Sequence, residues 1–128
     1  MHLLKIMVFA VLIIPVPILA GYKYPYSVSI NSIPGTDRYY AAGSVSNARY
    51  GFGADPAARI GCSANTYGEV VCEAKTPYGV KNGGCRSVTP IHHRIALSIK
   101  SSSYVYFEWN ASGQCTRIIV KNGSLYLP

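Results

Sequence analysis

The sequence predicts a mainly β protein: a small antiparallel β-sheet or sandwich domain with one short helix and two disulfides. Three observations lead to this prediction. Short segments rich in Val, Ile, Tyr and Ser are broken by Gly, Pro and Asn about every ten residues, which is typical of antiparallel strands. Four cysteines follow a hydrophobic N-terminus, and residues 21–128 are enough for one compact domain but too few for two ordinary ones.

Residues 1–20 have the layout of a secretory signal peptide. Lys5 supplies a weakly cationic start, residues 6–14 form an uninterrupted apolar run, and Ala20 is the small residue at the predicted cleavage site. A membrane anchor is the alternative, but a spanning helix needs about 20 apolar residues and the run at 6–14 is much shorter. A cleaved signal peptide is therefore favoured, and we expect no membrane span after cleavage. The predicted organisation is therefore a signal peptide (1–20) and a single disulfide-stapled β domain (21–128), in a secreted or periplasmic protein.

Export places the cysteines in an oxidising compartment, where they form disulfides. The set comprises Cys62, Cys72, Cys85 and Cys115. Positions 62 and 72 are symmetric about Tyr67, and positions 72 and 85 are symmetric about residues 78–79, so two tight hairpins would place three cysteines side by side. Cys72 could then reach either neighbour, and three connectivities stay open. We favour Cys72–Cys85 with Cys62–Cys115, which ties the C-terminal hairpin to the front of the domain; Cys62–Cys72 with Cys85–Cys115 is the alternative.

The remaining elements follow from local patterns. Strands are predicted at 26–30, 40–50, 59–65, 69–75 and 85–88, and a hairpin at 104–109 and 114–121. The hairpin is aromatic and β-branched on both faces, which favours a central position in the core. At residues 90–99, Thr89 suits a helix N-cap, Pro90 suits the first turn, and isoleucines recur every four residues. We expect a short helix there; a strand is the alternative.

The charge balance is positive. The full chain has a formal net charge of +7, and loss of Lys5 with the signal peptide leaves +6. Such a charge favours weak association with anionic envelope surfaces. The basic residues are scattered singly rather than clustered, and the chain is exported, so we expect no nucleic-acid partner.

The residue types that carry catalysis or metal binding form no strong motif. The cysteine gaps are too wide for zinc pairs, so we expect no metal and no cofactor. His92 and His93 are the histidines of the mature chain; either could act as a general base with an acid, although a solvated pair on the helix surface is favoured. The sequence therefore favours a protein that is not an enzyme, and a small hydrolase using His92 or His93 is the least favoured function.

Tyrosine is unusually frequent, with eleven copies. Exposed tyrosines beside cations suit recognition of sugars or proteins by stacking and hydrogen bonding, and half-buried filler at sheet edges is the alternative interpretation. The candidate contact surface comprises Tyr22, Tyr24, Tyr67, Tyr78, Arg59 and Lys81. We expect an exported binding or structural module that acts by surface contact with an unknown protein or glycan partner. A secreted inhibitor or antibacterial effector is the alternative.

Several motifs resemble a group of small exported bacterial proteins. They are Asn47-Ala48-Arg49, Ile60-Gly61-Cys62, Cys72-Glu73-Ala74, Cys85, the run from Ser103 to Trp109, and Ser112-Gly113-Gln114-Cys115. The resemblance spans residues 44–128. That group has no assigned activity, so the resemblance implies a bacterial, exported, four-cysteine β domain and implies no catalytic residue.

Overall fold

The computed structural model describes residues 26–45, 48 and 57–123. Seven strands are described: β1 (Ser29–Ser32), β2 (Tyr39–Ser44), β3 (Arg59–Ala64), β4 (Val70–Lys75), β5 (Asn82–Ser87), β6 (Ser103–Trp109) and β7 (Cys115–Asn122). Helix α1 (Pro90–Ala96) lies between β5 and β6. The predicted signal peptide, Tyr22 and Tyr24 lie outside the described residues. Within the described ranges, no helix combines the length and the apolar character that crossing a membrane requires.

The strands form two antiparallel sheets, which confirms the predicted fold class. The first sheet has the order β1-β2-β6-β7, and the second has the order β3-β4-β5. Alternate side chains of each strand point towards the other sheet, as the two-residue repeat of a strand requires. Val105 and Phe107 on β6 and Val70 on β4 are completely buried between the sheets. The molecule is thus a two-layer sandwich with its core between the sheets.

Strand β6 is central, as expected, because it pairs with β2 on one side and β7 on the other. Strand β7 lies at an edge of the sheet, so the prediction of a central position is wrong for the second half of the hairpin. The predicted strand at 40–50 is also wrong at Val45 and Ala48, which are helical; positions 46, 47, 49 and 50 lie outside the described residues.

Helix α1 confirms the helix that we predicted at 90–99, although it ends earlier. Thr89 precedes it with an extended backbone, and Pro90 occupies the first turn. The helix ends at Ala96, where the hydroxyl of Ser98 donates to the carbonyl of Ile95 at 2.6 Å and the Ser98 N–H donates to the same oxygen at 3.0 Å. Such local hydrogen bonds replace the i→i−4 pattern at helix ends.

The cysteine register is the one predicted from the hairpins. Cys72 on β4 lies directly opposite Cys62 on β3 and Cys85 on β5. The favoured pairing is nevertheless wrong: the disulfides are Cys62–Cys72 and Cys85–Cys115, which was the alternative. The reason is tertiary. Arg86, next to Cys85, donates its N–H to the Gly113 carbonyl at 2.9 Å, which brings β5 beside the start of β7 and places Cys115 against Cys85.

Candidate functional site

A groove opens between β1 of the first sheet and β5 of the second. Its volume is about 500 Å³. The residues that shape it are Ile30, Ser32, Tyr39, Lys81, Asn82 and Trp109. Aromatic rings combined with a few polar groups in a concave surface are typical of ligand sites. Among the surfaces of the described residues, this groove is the one that brings the chain's single tryptophan, a half-exposed tyrosine and a cation together.

Register places the groove's side chains in one row. The β1–β2 turn is closed by a hydrogen bond from Ile33 N–H to the Arg38 carbonyl at 2.9 Å, so Ser32 lies opposite Tyr39. Tyr39 in turn lies opposite Trp109 on β6. The two rings stack with centroids 5.9 Å apart and planes 20° apart. Tyr39 remains 45% exposed, so its ring is accessible at the mouth of the groove.

The indole of Trp109 contacts Gly83 on β5 of the opposite sheet. A Cβ atom on Gly83 would lie 2.6 Å from Cη2 of Trp109, closer than real Cβ contacts. The indole can therefore lie this close to β5 only because residue 83 is glycine. Phe107 packs beside it with ring centroids 5.5 Å apart. These contacts fix the orientation of the indole.

Lys81 is fixed at the other wall of the groove. The β4–β5 loop closes tightly, because Thr76 N–H donates to the Lys81 carbonyl at 3.0 Å and Lys81 N–H donates to Thr76 Oγ1 at 2.9 Å. The Lys81 ammonium donates to the Ile30 carbonyl on the edge of β1 at 3.2 Å. An ammonium has three donors, so two others remain for a ligand.

The other described residues of the predicted contact surface, Tyr67, Tyr78 and Arg59, lie outside the groove. Tyr67 is 92% exposed in the β3–β4 turn, and Tyr78 is 82% exposed in the β4–β5 loop, so the two lie at opposite ends of β4. Arg59 lies on the outer face of the second sheet, 3.4 Å from Glu73. Of that surface, the structure therefore brings only Lys81 into the groove among the described residues. Whether Tyr67 and Tyr78 contact a partner stays a prediction.

Both histidines are partly exposed, and each is also hydrogen-bonded to the protein. His92 Nδ1 lies 2.6 Å from the Ser87 hydroxyl, and His93 Nε2 lies 2.8 Å from the Asn65 carbonyl. These bonds tie α1 to β5 and to the β3–β4 turn. No ion pair joins either histidine to a carboxylate within the described part of the chain, so the acid that a His-based hydrolase would need is not beside them there.

The opposite side of the first sheet explains part of the tyrosine enrichment. Tyr40 stacks on Tyr106 with centroids 5.5 Å apart, and Tyr26 meets Tyr104 edge-on at 5.2 Å. The Tyr106 hydroxyl donates to the buried carboxylate of Glu108 at 2.5 Å. Burial of Tyr106, then this hydrogen bond and the charge of Glu108, raise the pKa of Tyr106 to about 12. These tyrosines cover the outer face of the sheet and contact one another, as the alternative interpretation of half-buried filler expects.

Sequence reasoning missed Tyr39 and Trp109 as site residues. Trp109 was assigned to the core because it ends the aromatic strand at 104–109, and Tyr39 was not among the tyrosines predicted to contact a ligand. The sequence signal that could have indicated the site is the position of the single tryptophan next to a loop.

Comparison with protein-family models, curated proteins and solved structures finds no match to this chain. The resemblance to small exported bacterial proteins accordingly stays a prediction.

Proposed function

We propose that this protein is an exported, non-enzymatic binding module and that its groove takes an oligosaccharide carrying an acidic group. The observation that carries the proposal is the Tyr39–Trp109 stack, fixed by Gly83 and open to solvent at Tyr39. A sugar ring presents a flat C–H face that packs against an aromatic ring, and its hydroxyls need hydrogen-bonding groups around that contact. The groove offers the Ser32 and Asn82 side chains and the Lys81 ammonium nearby.

The charge of the groove favours an acidic sugar over a neutral one. Lys81 is the charged residue among the described residues that line it, and no acid lies among them. A carboxylate of a uronic acid would accept a charge-assisted hydrogen bond from the ammonium. The positive net charge, +6 once Lys5 has left with residues 1–20, attracts the same ligands at longer range.

A protein strand is the less suitable occupant of the groove. Strand β1 is at the edge of its sheet, and a partner strand adding there would use the Ile30 carbonyl as a hydrogen-bond acceptor. The Lys81 ammonium already occupies that carbonyl. A lysine side chain placed against a sheet edge discourages the addition of another strand. A ligand that approaches the rings and the ammonium from the side avoids this conflict.

Export is the second part of the proposal. Two disulfides in a domain of this size support an oxidising compartment, outside the cytoplasm. The hydrophobic residues 1–20 support removal of a leader. Mass measurement of the protein recovered outside the cytoplasm tests this: we expect loss of 1–20 and no reactive thiol. Retention of the N-terminus, or four reactive thiols, would contradict export and oxidation.

The sugar assignment is tested by titration calorimetry on the oxidised domain. Tetragalacturonate serves as the acidic probe and chitotetraose as the neutral probe. We expect tetragalacturonate to bind more tightly, and Tyr39→Ala to weaken its binding about fivefold, the equivalent of about 1 kcal/mol of ring stacking. Lys81→Gln should abolish the preference for the acidic probe while leaving the weaker neutral contact.

The matched control is Tyr67→Ala, because Tyr67 is an exposed tyrosine that lies in a turn away from the groove. Its affinity for tetragalacturonate should equal that of the unmodified protein. Equal losses from Tyr39→Ala and Tyr67→Ala, or no heat of binding with either probe, would contradict the assignment.

A further inference from the structure

Three of the four cysteine sulfurs form one cluster. The Sγ atoms of Cys72, Cys85 and Cys115 all lie within 4.8 Å of one another, although Cys72 is bonded to Cys62 and the other two are bonded together. The two disulfides are therefore neighbours. A thiolate formed at Cys72 would lie beside the second disulfide without any movement of the strands.

The backbone allows Cys72 to bond to Cys85 as well as to Cys62. The Cα atoms of Cys62 and Cys72 are 4.0 Å apart, the spacing of a narrow pair in an antiparallel ladder. A residue in a narrow pair with one neighbour points its N–H and C=O at the other neighbour, so Cys72 and Cys85 form a wide pair, about 5.5 Å apart. That spacing is within the range of ordinary disulfides.

The four cysteines differ in solvent exposure and therefore in their accessibility to a thiol reagent. Cys72, Cys85 and Cys115 are 0%, 5% and 8% exposed, whereas Cys62 is only partly buried. Cys62 also lies on β3, an edge strand of the second sheet. A thiolate from solvent therefore meets Cys62 first.

We infer that Cys62 is a site of attack by small thiols and that Cys72 passes the exchange on to Cys85. An external thiolate bonds to the sulfur of Cys62, the Cys62–Cys72 bond breaks, and Cys72 leaves as a thiolate. The Cys72 thiolate then bonds to the sulfur of Cys85, the Cys85–Cys115 bond breaks, and the Cys115 thiolate takes a proton from water. One external thiol is consumed as a mixed disulfide, and no oxidant is needed.

The exchange changes what the disulfides connect. Cys85–Cys115 joins β5 of one sheet to β7 of the other, whereas Cys72–Cys85 joins two strands of the same sheet. The product therefore has no disulfide between the two sheets. Because Gly83 on β5 holds Trp109 on β6, a weaker tie between the sheets would loosen the groove wall.

The first test uses the unmodified oxidised domain and one equivalent of glutathione at pH 8. The reaction is quenched with acid, thiols are alkylated, and peptides are mapped by mass spectrometry without reduction. We expect glutathione on Cys62, a peptide linked through Cys72–Cys85, and alkylation at Cys115. Alkylation at Cys72 or Cys85 in place of Cys115, or glutathione on Cys115, would overturn the inference.

A pair of three-cysteine variants tests the same relay without an external thiol. Cys62→Ser leaves Cys72 without its partner, and Cys115→Ser leaves Cys85 without its partner. We expect both variants to contain the Cys72–Cys85 bond, with alkylation at Cys115 in the first and at Cys62 in the second. Thiols that stay entirely at Cys72 and Cys85, respectively, in folded protein would overturn it.

Discussion

The indole of Trp109 lies directly on the backbone of Gly83, across the gap between the two sheets. The contact is so close that a single added methyl group would overlap Cη2 and Cζ2 of the ring, at 2.6 and 2.7 Å. One residue without a side chain on β5 thereby sets the position of the tryptophan on β6. The groove depends on this contact, because Tyr39 stacks on the ring that Gly83 holds.

Substitution of Gly83 is expected to damage both stability and the groove. Gly83→Ala must push the indole or β5 away, and overpacking of this kind costs about 2 kcal/mol. Denaturant unfolding measures the loss, and the emission of Trp109 should change in the folded variant. The control is Gly61→Ala on β3, where an added Cβ meets nothing within 4 Å, so its stability should change by less than about 0.5 kcal/mol. Equal effects of the two substitutions would contradict the contact.

The two disulfides are expected to differ in their contribution to stability. They close loops with sequence separations of 10 and 30 residues. The chain-entropy relation gives about 2.7 kcal/mol for the shorter loop and about 3.6 kcal/mol for the longer one. Cys85→Ala/Cys115→Ala should therefore lower the free energy of unfolding more than Cys62→Ala/Cys72→Ala does. A larger loss in the latter variant would indicate that packing of the buried Cys72, rather than loop closure, dominates.

Tyr106 is expected to ionise at a higher pH than an ordinary tyrosine. Its pKa is raised to about 12 by burial, by its hydrogen bond to Glu108 and by the charge of that carboxylate. The folded state therefore retains a proton that the unfolded chain releases near pH 10. The stabilisation from Tyr106 is complete below about pH 10 and is lost as pH rises towards 12. Ultraviolet titration should show one tyrosine fewer at high pH in Tyr106→Phe, and ionisation of Tyr106 at pH 10 would contradict the assignment.

The sequence predicted the strands and the cysteine register because both depend on short-range geometry. A tight turn at Tyr67 forces Cys62 opposite Cys72, and the loop at residues 78–79 forces Cys72 opposite Cys85. The disulfide pairing could not follow from that arithmetic, because counting places a cysteine opposite Cys72 on each side and does not say which one is bonded. The choice depends on where Cys115 lies, which is decided by the contact between Arg86 and Gly113.

The groove could not be predicted from the sequence either, because it too depends on tertiary contacts. Tyr39, Lys81 and Trp109 belong to three separate segments, and their meeting requires the packing of one sheet on the other. Lys81 was predicted as a contact residue because it is a cation near Tyr78 in the sequence. The strand predicted at 40–50 is wrong at Val45 and Ala48 because an Ala- and Ser-rich pattern does not distinguish a strand from a helix.

The most direct test of the groove uses its own fluorophore. Trp109 is the single tryptophan of the chain, so indole emission excited beyond the absorption of the tyrosines reports from the site alone. Titration of the oxidised domain with tetragalacturonate should give a saturable shift or quench of this emission, with the dissociation constant that calorimetry gives and with weaker binding in Tyr39→Ala. Binding heat without any change in Trp109 emission would mean that the sugar binds elsewhere, and would contradict the account.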